Sequence, residues 1–588
     1  MESDVDSEPA ERNTTLSPCE PESADAGTPL ASDSLSARAA AHKRQKEASE
    51  ALLKDARELA KAKFNYNPVK ARATMAEECK KRSNGSIVPH GWQLDIAECL
   101  VLGVDCELIA PTGAGKTIPF MLPLFYQHDK IIIIISPLNA LEEDQARRFR
   151  AMGLSAQAVN GTTYTEDLRE DIEKGKYQIL VTSPNMCLQH DKFRALLSAP
   201  AFAQRISAFI IDEAHCITQW GEKFRNEYLQ LGTLRAFVSA RVPFLVTSAT
   251  LTPTDLCTIR KSVHINRANT YHLNLGNDRP NLEWHVVHMK AGKSDLDSLN
   301  FLLPTKERPN LERTIVFFDD IQVSMEACRW FRERLPEHLR ERVSCYNARR
   351  GAQSKRDSYE RFRDGSTDVW FASEAAGIGC DLPGIKNSVQ FMAPSSLSIW
   401  FQRAGRTARQ KDIQGTAYLL VQPTVFQEKG KTKRQEGDEI EYVKTIEDGL
   451  RTWTEGERCR RDIADEYFFN PPVRDRECLL PILQYEISYI TIAVPLGGIM
   501  PDTVLTAFAS NGRWRTVEDV TNGGPPAANW VWLSRHGPEV LNLLRGVDDQ
   551  VRAAKEEAHR LKMDAKKAET VKKKAEAKRA KKEEQEQR

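Results

Sequence analysis

The stretch ELIAPTGAGKT, residues 107–117, settles how the surrounding chain must be read. Glu107 to Ile109 reads as the end of a buried strand, and the apolar run from Thr117 reads as the start of a helix. Between them lies a loop of small residues. A glycine loop that joins a strand to a helix N-terminus can wrap phosphate oxygens with backbone amides. Gly113 and Gly115 permit that close approach, which a Cβ would block. Pro111, Thr112 and Ala114 complete the loop. Lys116 sets a positive charge against the β- and γ-phosphate oxygens of a nucleoside triphosphate, and the Thr117 hydroxyl can ligate Mg²⁺.

Outward from this loop, short aliphatic runs alternate with longer amphipathic stretches. The runs are IIIIISPL (131–138), YQILVTSP (177–184), AFIIDEA (208–214) and PFLVTSAT (243–250). Continuous β-branched runs that end in Gly, Ser, Thr, Asp or Pro predict strands buried on both faces, hence a parallel sheet with helices on either side. Ligands bind beyond the carboxyl ends of such strands, where the polar residues of these runs sit. A second series follows residue 280: RTIVFF (313–318), RVSCY (342–346), DVWFAS (368–373), NSVQFM (387–392) and GTAYLLV (415–421). The expectation is two consecutive α/β domains, 83–275 and 276–440.

The flanks differ in charge. The chain has 588 residues, 83 Lys+Arg and 82 Asp+Glu, for a net charge of +1, so any polyanion must meet a local basic patch rather than a polycation. Hydrophobic residues at 41% exclude a wholly disordered chain. Residues 1–37 are acidic and rich in Ser, Thr and Pro, and read as a disordered tail. Residues 38–82 hold thirteen Lys/Arg against six Asp/Glu and read as one or two exposed basic helices. Residues 441–548 read as a smaller, mainly α accessory region, and 549–588 as a charged helical or disordered tail. Twelve cysteines without a CxxC pair point to reduced thiols. No signal peptide is visible and no apolar run is long enough to cross a bilayer, so no membrane contact is expected.

Two further motifs carry chemistry. IIDEAHC (210–216) ends a strand 96 residues beyond Lys116. Asp212 is placed to hold Mg²⁺ through water, and Glu213 to take a proton from an attacking water. His215 reads as a link between the domains rather than a metal ligand. In the second domain, FQRAGRTARQ (401–410) offers Gln402, Arg406 and Arg409, expected along one helix face. Arginines brought to a γ-phosphate from a facing domain act as fingers worth about 10³–10⁵ in rate.

Together these motifs resemble those of superfamily-two helicases. DEAHCITQWGEKFRNEY (212–228) is similar to the RecQ signature, in which the DEAH box runs into an aromatic-rich loop. The resemblance implies two tandem RecA-like domains that clamp ATP and Mg²⁺. It also implies 3′→5′ translocation on single-stranded DNA and unwinding of tailed duplexes; that DNA substrate, with the basic clusters at 572–574 and 578–582, points to a nuclear location. It assigns adenine reading to Gln93, ribose binding to Asp381, and DNA contact to Ser136, Pro137, Thr182, Trp220, Phe224 and Arg225. Bases stacked on such aromatics are worth about 1–3 kcal/mol each. Thr247 to Thr250 resemble the SAT motif that links the ATP and DNA sites.

The sequence also departs from the RecQ pattern. His90 stands where Arg is usual, and Asn347 where His is usual. CRRDIADEYF (459–468) resembles the start of the family's zinc module. Beyond Cys459 and Cys478 no cysteine follows, so a Cys₄ zinc site cannot be built and both read as buried thiols. Other readings of the same residues are a DNA translocase that does not unwind, an RNA helicase of the same superfamily, and a non-enzymatic DNA-binding scaffold on a decayed core.

Overall fold

The computed structural model describes residues 31–472 except 138, 220–226, 239–241, 374–381, 383, 411–412, 430–440 and 457–458; beyond 472 it describes Glu518, Val520 and Leu541. Residues 1–472 form one compact unit and 473–588 a second.

The first sheet has seven parallel strands. They are β1 (Asp105–Ile109), β2 (Ile131–Ile135), β3 (Ala156–Val159), β4 (Ile179–Thr182), β5 (Ile206–Ile211), β6 (Phe244–Ser248) and β7 (Thr270–Asn274), in the order β3-β4-β2-β5-β6-β1-β7. Burial on both faces is plainest in β2, five consecutive isoleucines. Ile131, Ile133 and Ile135 enter one core and Ile132 and Ile134 the other. The second sheet has six parallel strands: β8 (Leu282–His288), β9 (Thr314–Phe318), β10 (Val343–Tyr346), β11 (Val369–Ala372), β12 (Asn387–Phe391) and β13 (Gly415–Val421), in the order β10-β11-β9-β12-β13-β8. Every aliphatic run singled out in the sequence is a strand. Three strands lack such a run: β3 is short and Ala-rich, and β7 and β8 are half-exposed edge strands of mixed polarity.

The basic flank does form two helices, the first largely exposed, but both are anchored to the domain at points along their length. Helix α1 (Ala31–Phe64) begins inside the stretch expected to be disordered and packs along β7. The Ser49 hydroxyl donates to His272 O and accepts from His272 N, both at 3.0 Å, so it satisfies the free edge of the sheet. Leu53 joins the core beneath. Helix α2 (Pro68–Arg82) starts with an Asn67 cap and a first-turn proline, and buries Ala71, Met75 and Cys79 at i, i+4, i+8 spacing. Between them and helix α3 (Gly91–Leu102), the fully buried Glu98 accepts bonds from Arg57 (2.6 and 2.9 Å), Arg72 (3.0 Å) and Tyr66 (3.2 Å). Charge therefore docks this flank as much as it solvates it.

Past the second sheet, helices Asp448–Glu455 and Arg460–Tyr467 pack into that domain's own core. Leu450, Trp453, Ile463 and Phe468 meet Trp400, Phe401 and Leu282 there. Trp453 is fully buried, whereas Trp514, Trp530 and Trp532 lie outside the described residues. Cys459 is half-buried rather than buried, and Cys478 is outside the described residues. Cys257 is disulfide-bonded, a departure from a wholly reduced chain, while eight described cysteines are free thiols. No described helix is long and apolar enough to cross a membrane.

Candidate nucleotide site

The loop after β1 has the conformation its sequence calls for. Gly113 and Gly115 both adopt φ of 83°. A Cβ on Gly115 would come within 2.8 Å of Gln93 Nε2, and one on Gly113 within 3.1 Å of Arg409 O. Gln93 is itself fixed: its Nε2 donates to Gly115 O (3.0 Å) and its Oε1 accepts from His90 N (2.8 Å). A cavity of about 830 Å³, a size that suits a small-molecule ligand, opens against this loop and is lined by His90, Gln93, Thr112, Gly113, Arg279 and Arg409. Thr117 caps the helix Ile118–Tyr126 that leads away from it.

Lys116 reaches inward, its Nζ donating to Ala110 O (3.0 Å) and Pro111 O (3.2 Å). Burial lowers its pKa to about 8, against the pull of Glu213 and Asp212. The two acids leave the end of β5. Asp212 accepts from Gln145 Nε2 (2.6 Å) and from Glu213 N (2.9 Å), and burial first, then the Glu213 charge, raise its pKa to about 6. Glu213 is equally buried, which alone would raise its carboxyl. His215, Arg406, Lys116 and Arg409 more than offset that and hold it below the usual range. Glu213 also sits at φ 51°, a left-handed backbone that costs a non-glycine residue about 1–3 kcal/mol and is held here by its neighbours.

The second domain meets this cluster directly. Arg406 Nη2 lies 4.0 Å from Glu213 Oε1. Gln402 Nε2 donates to Thr250 Oγ1 at 2.7 Å, and Thr112 Oγ1 donates to Gly405 O at 2.8 Å. Thr250 N in turn contacts Ser248 Oγ (3.3 Å), which lies 2.9 Å from His215 Nδ1. A path of hydrogen bonds thus runs from His215 through the SAT residues to Gln402. One expectation is corrected. The helix carrying Gln402 spans Leu397–Ala404, so Arg406 and Arg409 sit in the turn beyond it rather than on its face. Gly405 ends the helix, and the turn redirects the arginines toward the cleft.

Arg279, which the sequence did not mark, shapes that turn. Buried between the domains, it donates to Thr112 Oγ1 (3.3 Å), Gly405 O (3.2 Å) and Ala408 O, and burial lowers its pKa to about 10. Asn281 Nδ2 donates to the same Ala408 O (2.8 Å). Ala408 holds a strained φ of 48°, and these two side chains keep it there, directly before Arg409. Gln145, which the sequence analysis also left unmarked, is buried with its Nε2 committed to Asp212.

The residues expected at DNA divide. Ser136, Pro137 and Thr182 are buried, and Thr182 Oγ1 is committed to Val159 O at 2.8 Å. Ser136 N donates to Thr182 O, which ties the ends of β2 and β4 together. Trp220, Phe224, Arg225 and Asp381 lie outside the described residues; Tyr228, at the end of the same loop, is fully buried in the core.

Family models place these features. A DEAD/DEAH box helicase model matches residues 91–259, and a helicase conserved C-terminal domain model matches 295–411. The chain thus carries a DEAD/DEAH box helicase domain followed by a helicase C-terminal domain. Over 64% of its length the chain is 28% identical to the probable ATP-dependent DNA helicase RecS of Bacillus subtilis, covering 73% of that protein. It is 27% identical over 67% of the chain to the ATP-dependent DNA helicase RecQ of Pasteurella multocida, covering 60% of it. The chain therefore spans somewhat less than two thirds of such a RecQ. Among solved structures, the DEAD-box helicase Mss116 bound to single-stranded RNA and UDP-BeF superposes with a TM-score of 0.51 at 15% identity, over 79% of this chain and 89% of that one, a likeness of fold.

Proposed function

We propose that the protein is a RecQ-like, ATP-dependent DNA helicase that moves 3′→5′ on single-stranded DNA. The observation that carries the proposal is the approach of Arg406, from the second domain, to Glu213 beside Lys116 in the first. The residues fit ATP: the glycine cradle holds two left-handed backbones and crowds a Cβ at either position, and three cationic side chains face two acids. Thr117 and Asp212 would hold Mg²⁺, which supplies charge neutralisation of the phosphates. Gln93 reads the adenine edge and Asp381 binds the ribose. Glu213, kept ionised, accepts the proton of the attacking water. Arg406 and Arg409 stabilise charge at the γ-phosphate only when the domains are closed, so hydrolysis reopens them. Trp220, Phe224 and Arg225 grip bases in one state more than the other, which converts each cycle into a step. A nuclear location accords with the DNA substrate and the basic clusters at 572–574 and 578–582.

The test compares ATP turnover with single-stranded DNA and RNA, and strand separation on 3′-tailed and 5′-tailed duplexes. Stimulation by DNA and separation of the 3′-tailed duplex are expected. Stimulation by RNA alone supports the RNA reading, and DNA-stimulated turnover without separation supports a translocase.

A further inference from the structure

Away from the cleft, the second domain contains a thiol that its surroundings polarise. Cys345, on β10, is buried against helix Ile321–Glu333. Its sulfur receives Asn347 Nδ2 at 3.4 Å and lies 3.7 Å from the Ser324 hydroxyl. Cys328 lies one turn beyond Ser324 on the same helix and lines the same cavity as Cys345. A buried cysteine surrounded only by apolar groups stays a neutral thiol. Here several polar groups converge on one sulfur inside a core of Val, Leu and Phe. Both cysteines also line a cavity of about 380 Å³ whose wall carries Arg329, Arg332, Arg340 and Arg350 against the single acid Glu333. The pair is thus reachable from solvent and sits in a positive field. The hydrogen bond from Cys328 lowers the Cys345 pKa to about 6, with Ser324, Asn347 and Arg350 adding to it against burial, and the Cys328 thiol is raised correspondingly. By contrast, burial raises the thiols of Cys187 and Cys106.

We propose that Cys345 and Cys328 form an oxidisable dithiol whose substrate is a small peroxide. The Cys345 thiolate attacks one peroxide oxygen; the O–O bond breaks, and the departing hydroxide takes up a proton to become water, leaving Cys345 as a sulfenic acid. The Cys328 sulfur, losing its proton, then attacks the Cys345 sulfur. The S–O bond breaks, and the hydroxide leaves with that proton as a second water. Two thiols are oxidised by two electrons, and the peroxide is reduced to two waters. The product ties helix Ile321–Glu333 to β10, next to the turn Asn347–Arg350.

The test uses the full chain. Native protein is pulsed with iodoacetamide at neutral pH and mapped by peptide mass. Cys345 should label at least about tenfold faster than Cys187, because the thiolate is the nucleophile. Limiting hydrogen peroxide should then yield a peptide pair joining residues 328 and 345, two hydrogens lighter than the sum of its parts and separated again by dithiothreitol. Cys328→Ser should leave Cys345 oxidised but unlinked. Equal labelling of Cys345 and Cys187 in the unmutated chain, or peroxide oxidation confined to Cys459, overturns the proposal.

Discussion

The Arg406 guanidinium of the second domain stands 4.0 Å from the Glu213 carboxylate of the first. Substitution of Arg406 by Ala should lower ATP turnover by about 10³-fold or more while nucleotide binding changes far less. The same change removes one of the charges that keep Glu213 ionised.

The pH profile of the unmutated protein follows from two buried groups. Asp212, raised to about 6, must lose its proton to hold Mg²⁺. Lys116, lowered to about 8, must keep its proton to meet phosphate. Below about 6 the first condition fails and above about 8 the second fails, so kcat/KM for ATP should be bell-shaped with those limits in the free enzyme.

The bond from Gln402 to the Thr250 hydroxyl, 2.7 Å long, joins the domains at the SAT motif. Gln402→Ala and Thr250→Ala should each reduce DNA stimulation of the ATPase. Together they should cost less than the sum of the two, with a coupling of about 0.5–1.5 kcal/mol in a double-mutant cycle. Additive losses would mean that the contact transmits nothing.

Arg279→Ala should relax the strained turn at Ala408 and release Arg409 from the cleft. Because Arg279 donates to Gly405 O and Ala408 O, stability should fall by about 1–3 kcal/mol. Turnover should fall more than KM rises, since the loss is of arginine placement. Thermal unfolding and steady-state kinetics on the same preparation separate the two effects.

Glu98→Ala leaves the guanidinium groups of Arg57 and Arg72 without their shared buried partner. Destabilisation of about 1–3 kcal/mol is expected, since both arginines keep part of their surface in water and Arg72 keeps Asp95. The change should also expose the α1 segment to limited proteolysis, because Glu98 ties it to α3. Unchanged cleavage between residues 31 and 64 would show that α1 is held by its apolar contacts alone.

Most of the architecture was legible because a strand buried on both faces leaves an unmistakable mark, as in Ile131–Ile135. Strands β7 and β8 were not legible: at a sheet edge, half of each is exposed, and residues such as His272 and Glu283 break the pattern. The placement of the glycine loop after β1 and of the two acids at the end of β5 was legible because motif residues stand at fixed spacing from buried strands. Arg279 was not, because its acceptors are backbone carbonyls 126 and 129 residues away, which no side-chain pattern records. The helix face drawn through Arg406 and Arg409 failed for a local reason, since the helix ends at Ala404. The docking of α1 was hidden by charge: its mean composition is that of a solvated helix, while Ser49 and Leu53 do the anchoring.

The most direct measurement is ATP turnover with saturating single-stranded DNA for the unmutated chain, for Lys116→Ala and for the Arg406→Ala, Arg409→Ala double variant. If the two domains build one catalytic cleft, turnover collapses in both variants while the double variant still binds ATP. Hydrolysis at the unmutated rate in the double variant would contradict the account.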